Sequence, residues 1–201
     1  MPIIDYPGRE IICKIVYYGP GRSGKTSNLQ YIYERVPADR RGSMVSLATH
    51  NERTLFFDFL PLDLGTISGF ATRFQLYTVP GQSYYKTTRK LVLNGADGVV
   101  FVADSQRRQQ EENIESLRDL HEALADHNVD ARTLPLVFQY NKQDLPRDLI
   151  SQTSTMEEEL NFRGVPCHAA DALSGTGVFE TLRSISELVL RRLNPNPSAG
   201  R

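Results

Sequence analysis

The chain has 201 residues, 23 Lys and Arg against 24 Asp and Glu, and a net charge of −1. That length suits one α/β domain with a sizeable core, and 40% hydrophobic with 23% charged residues is ordinary for a soluble globule. The near-neutral balance argues against nonspecific binding to nucleic acid or anionic membrane, and no apolar run approaches the length of a membrane span.

In chain order, the apolar, β-branched stretch 10–18 predicts a buried strand. It runs into Gly19-Pro20-Gly21-Arg22-Ser23-Gly24-Lys25-Thr26, the G-x-x-x-x-G-K-T spacing of a phosphate loop. A helix is predicted over 25–36, with Leu29, Ile32, Tyr33 and Val36 at helical spacing. Strand, glycine-rich loop and helix stand in the order a phosphate cradle requires, because loop N–H groups and the helix dipole then favour one anion. Residues Gly19 to Ser27 are therefore candidates for nucleotide contact. Lys25 brings a point charge to the outer phosphates, and Thr26 offers a hydroxyl to Mg²⁺.

Further strands are predicted over 44–48, 70–79, 98–104, 135–141 and 165–169, and further helices over 84–94, 107–127, 154–163 and 177–193. Gly98–Asp104 is continuously apolar, as a strand covered on both faces should be. Ile114, Leu117, Leu120 and Leu124 predict one core stripe, and Val178, Leu182, Ile185, Val189 and Leu193 another. Region 49–69 is open between a strand and a packed loop. Asn194-Pro195 stops the last helix, leaving a domain over 1–193 and a disordered tail over 194–201. Alternating β and α units imply a three-layer α/β fold, a six-stranded, mostly parallel sheet flanked by about five helices.

Ligands in such sheets sit beyond the carboxyl ends of the strands, and the remaining motifs fall there. In Thr78-Val-Pro-Gly81-Gln82, the Gly81 N–H can sense a γ-phosphate and Gln82 can orient an attacking water. In Asn141-Lys142-Gln-Asp144, the Asp144 carboxylate matches the N1/N2 edge of guanine, while adenine presents no donor pair. Asn141 can bridge the base to the phosphate loop, and the stem of Lys142 can cover the ring. The Ala172 N–H can reach guanine O6. Thr54 lies where a second hydroxyl could complete the Mg²⁺ shell. Cys13 and Cys167, the two cysteines, fall in strands too far apart for a disulfide. His50, His121, His127 and His168 show no metal-ligand spacing.

With these motifs in hand, the chain resembles the Ras-like small GTPases, and more narrowly the bacterial MglA-type GTPases of cell polarity and motility. The resemblance spans about residues 3–193 and is carried by the phosphate loop and by segments 53–61, 77–82, 97–105 and 139–142. It implies a P-loop NTPase fold, GTP or GDP with Mg²⁺, and slow hydrolysis until a partner acts. It implies that Arg53 is a cationic finger in cis, with Arg22 a competing cation, and that Arg53, Gln82 and Lys25 are the catalytic set. Most Ras-like proteins carry an Asp where Thr78 stands. Its absence implies a metal left to Thr26, Thr54 and phosphate oxygens, and held more loosely.

The same resemblance implies an MglB-like activating protein of roadblock fold, effectors at a cell pole, an exchange factor and a monomeric state. The chain ends without a cysteine for lipid attachment, so a cytoplasmic protein recruited through protein partners is expected. The alternative is a GTP-binding interaction module with negligible hydrolysis.

Overall fold

The computed structural model describes residues 2–47, 57–67, 69–81 and 85–193. Its strands are β1 (Ile3–Asp5), β2 (Glu10–Tyr18), β3 (Val45–Leu47), β4 (Phe57–Ile67), β5 (Phe70–Thr78), β6 (Gly98–Asp104), β7 (Leu136–Asn141) and β8 (Cys167–Ala169). Its α-helices are α1 (Lys25–Arg35), α2 (Lys86–Leu93), α3 (Gln110–Asp126), α4 (Thr153–Leu160) and α5 (Val178–Leu193). The sheet runs β3-β4-β5-β2-β6-β7-β8, with β1 paired to β2. Strands β5, β2, β6, β7 and β8 run parallel to one another, whereas β1 pairs antiparallel with β2, β3 with β4 and β4 with β5.

The described residues thus hold eight strands rather than the expected six. Strand β1 escaped the sequence reading because three residues carry no period. Strand β4 resolves the open part of region 49–69 for Phe57–Ile67. Its alternation was hidden because it runs against intuition. Leu60, Leu62 and, unexpectedly, Asp58 point inward, while Phe57 and Phe59 lie half-buried on the other face. Those two phenylalanines pack on Tyr77 of β5, with ring centroids 5.9 and 4.9 Å away.

Alternation along β2 divides the core into two layers. Cys13, Ile15 and Tyr17 join Leu29 and Ile32 of α1 and Ile185 and Val189 of α5. Val16 and Tyr18 join the opposite cluster with Leu117, Leu120 and Leu124 of α3. All seven residues of β6 are buried, as a strand covered on both faces requires. Ile114 departs from the expected stripe and is 36% exposed. Asn113, Ser116 and Asp119 are buried on α3 beside Leu117, Leu120 and Leu124, and the Asn113 amide pairs with the backbone of Asp104 at the end of β6. Cys13 and Cys167 lie on β2 and β8, three strand steps apart, and both are free thiols. Among the described residues no helix is long and apolar enough to cross a membrane.

Candidate nucleotide site

Between β2 and α1 the chain turns through the phosphate loop. Gly24 precedes the helix at φ 102°, and an added Cβ there would lie 2.1 Å from the Asn141 side-chain nitrogen. Glycine is therefore required twice, for the left-handed backbone and for the close approach. Helix α1 has no side-chain cap and no acidic residue in its first turn. Its leading N–H groups are left for an external anion.

Lys25 is 6% exposed and folds back over the loop, where its ammonium donates to Gly19 O at 2.9 Å and Pro20 O at 2.5 Å. Burial, helped by the nearby Arg89 guanidinium, lowers its pKa to about 7, and Asp58 works against that shift. The cavity beside it measures about 340 Å³ and brings together Arg22, Gly24, Lys25, Thr26, Ser27 and Gly81. Arg22 is exposed at φ 60°. Gly81 rests directly on the phosphate loop: a Cβ there would lie 2.3 Å from Gly21 N and 2.4 Å from Pro20 C.

On the base side, Asn141 is buried and clasps two loops. Its Nδ2 donates to Ser23 O at 2.7 Å, and its Oδ1 accepts from Ala172 N at 2.9 Å. The bridge to the phosphate loop is the one expected from the sequence. The Ala172 N–H, expected to reach a base oxygen, here donates to Asn141 and orients that amide. Asp144 is exposed in this structure, so any cost of leaving it unpaired arises only once a base covers it. Lys142 stands at φ 72° with its ammonium held 2.5 Å from the Asp104 carboxylate.

Sequence reasoning missed three supports. The amides of Asn28 and Gln139 pair reciprocally at 2.8 and 2.9 Å, and Asn28 also donates to Gly24 O at 2.9 Å, fixing the first turn of α1 against β7. Arg89 of α2, 2% exposed, pairs with Asp119 of α3 at 2.7 Å. Asp58 lines the phosphate cavity, 8% exposed, and accepts hydrogen bonds from Thr26, Ser46 and Thr78. The available signal for Asp58 was one carboxylate inside the apolar run Leu55–Leu60. Arg53, Thr54 and Gln82, with His50, lie outside the described residues. No cluster of His, Cys, Asp and Glu suited to a metal occurs among the described residues. A second cavity of about 600 Å³ opens near Ile4, Asp97 and Leu134, at the amino ends of the strands and away from the phosphate loop.

The ADP-ribosylation factor family profile matches residues 60–189. The mutual gliding-motility protein MglA of Myxococcus xanthus (strain DK1622) is 54% identical over 193 residues, covering 96% of this chain and 98% of that protein. This chain is an MglA-type small GTPase. More distant relatives are the ADP-ribosylation factor-like proteins 6 of Caenorhabditis briggsae and Caenorhabditis elegans. They are 26% and 27% identical over 92% and 86% of this chain, and over 90% and 84% of their own lengths. Small GTPases in general bind GTP and GDP with Mg²⁺. The donor set of this MglA-type site, a Thr26 hydroxyl beside a buried carboxylate, is hard oxygen chemistry that fits Mg²⁺.

Proposed function

We propose that the protein is a GTP-hydrolysing switch in bacterial polarity or motility, with effectors that bind its GTP form. One observation carries this reading furthest. Asn141 ties the phosphate loop to the loop bearing Ala172, so triphosphate grip and base reading share one rigid clasp. Asp144 reads the guanine N1/N2 edge, and the Lys142 stem, anchored by Asp104, lies along the ring. Lys25 leaves its two loop carbonyls for the outer phosphates, and Thr26 and Thr54 hold the metal. Mg²⁺, when bound, neutralises charge on the departing phosphate.

Gly81, lying on the phosphate loop, reports the γ-phosphate through its N–H, and Gln82 orients water. Arg53 supplies the transition-state cation. Hydrolysis is slow until a roadblock-fold, MglB-like partner brings Arg53 and Gln82 into place. The motility assignment rests on the similarity to the mutual gliding-motility protein of Myxococcus xanthus.

Two measurements test this. Wild type should bind GTP far more tightly than ATP, and Asp144→Asn should lose guanine and gain xanthine nucleotide; equal GTP and ATP binding refutes the base reading. Single-turnover hydrolysis should rise with the roadblock partner and stay slow in Arg53→Ala. A partner with no effect on wild type would favour a GTP-binding module without hydrolysis.

A further inference from the structure

The loop between β8 and α5, residues 170–177, is folded around Asp171. The Asp171 carboxylate accepts from Leu173 N at 2.9 Å and Ser174 N at 3.2 Å, and its backbone pairs with Thr176 and Gly175. Hydrogen bonds inside a loop set its shape, not its place. On one flank the Ala172 N–H, bonded to Asn141, ties the loop to β7. On the other flank stands Tyr31 of α1.

Gly175 records how close that ring comes. An added Cβ there would lie 1.8 Å from Tyr31 Cζ and 2.2 Å from its hydroxyl oxygen, so the tip of the ring rests on the glycine backbone. Gly175 also stands at φ 92°, a conformation that side chains rarely adopt. The ring is half-buried against the core layer of Ile15 and Leu29. Phe179 meets it edge-on with centroids 6.1 Å apart, and Arg35 Cζ lies 5.2 Å from its centroid. Both contacts would be lost if the ring swung away from the loop.

Tyr31 lies six residues after Lys25 on α1, about 9 Å along the same helix. The first turn of α1 faces the phosphate cavity, and its middle holds the loop whose outer residues, Leu173 and Ser174, are exposed. We propose that Tyr31 is a positioning residue for guanine recognition: its ring pins loop 170–177 to α1, so that phosphate grip and base-side loop keep a fixed separation. This rests on reading the cavity as part of a guanine-nucleotide site.

The test uses nucleotide-stripped full chain, a GDP analogue labelled on its ribose, and inorganic pyrophosphate. Tyr31→Ala should release the analogue about tenfold faster, the scale of one aromatic contact. Tyr31→Leu keeps apolar bulk on the core without covering Gly175 and should do the same. Pyrophosphate meets the phosphate loop alone, so its dissociation constant by calorimetry should match wild type in both variants. Tyr31→Phe keeps the ring and should release the analogue at the wild-type rate. Gly175→Ala introduces backbone strain and a collision with the ring, and only the collision disappears when residue 31 is Ala. Gly175→Ala should therefore cost less GDP affinity in the Tyr31→Ala background than in wild type.

Wild type that holds neither GDP nor pyrophosphate refutes the nucleotide reading and this proposal with it. Where wild type binds both, unchanged release from Tyr31→Ala overturns the proposal alone. So does an equal loss of GDP and pyrophosphate, which would place the damage in α1 itself. Fast release from Tyr31→Phe, or additive costs of the Tyr31 and Gly175 changes, would also overturn it.

Discussion

Nucleotide binding should load a proton onto Lys25. The free site holds this ammonium against two carbonyl oxygens with almost no solvent, and its pKa falls to about 7. Arriving phosphates supply the missing anion and return the pKa to or above its ordinary 10.5. Near pH 8 the free side chain is then about nine-tenths neutral and the bound one fully charged, so binding takes up about 0.9 proton. Phosphate ionisation adds little there, since the second phosphate pKa is about 6.

The sign follows. A pKa raised on binding contributes affinity that is complete below the free value. That contribution declines by up to about tenfold per pH unit above it, until the bound pKa is passed. Calorimetry of GDP binding to nucleotide-stripped protein, in buffers of different ionisation enthalpy, measures the proton count directly. Uptake should be about 0.9 near pH 8 and about 0.5 near pH 7, and should vanish in Lys25→Arg. Zero uptake near pH 8 by wild type that binds GDP would refute the reasoning. The same shift acts oppositely on the free fold. The unfolded chain binds more protons between about pH 7 and 10.5, so this lysine's contribution to stability rises with pH across that window.

Asn141→Ala orphans a buried carbonyl and a buried N–H, and should cost about 3 kcal/mol, read as loss of both urea stability and GDP affinity. Asp144→Asn should move urea stability by less than about 0.5 kcal/mol, because the side chain is exposed, while abolishing guanine preference. Asp119→Ala leaves Arg89 charged at 2% exposure and should destabilise by about 3–5 kcal/mol; a double change to apolar residues, Arg89→Met with Asp119→Leu, should recover much of it. Gly81→Ala forces backbone atoms at 2.3 and 2.4 Å apart and should lower single-turnover GTP hydrolysis well before it lowers GDP binding; wild-type turnover would show that the two loops separate freely.

Much of the scaffold was legible in the sequence because local rules specify it. A continuously apolar Gly98–Asp104 can only be a covered strand. Val178, Ile185 and Val189 recur at helical spacing and are all buried. The phosphate loop needs particular residues at fixed offsets, so Gly19 to Thr26 announced both its place and its chemistry. Asn141 was readable too, since its placement after β7 brings it to the phosphate loop.

Tertiary structure decided what depends on pairing between distant segments. Nothing local says that residue 58 will stand beside residue 78; that follows from the antiparallel register of β4 on β5. The Asn28–Gln139 and Arg89–Asp119 pairs join residues 111 and 30 positions apart, and polar residues carry no period that foretells such partners. Lys25 was legible as a cation, but its pKa was set by the burial and neighbours that only the folded loop provides. Sequence fixes the types of groups and their local spacing. Which carboxylate faces which hydroxyl depends on how strands lie together, because a one-residue slip would turn Asp58 to the other face of the sheet.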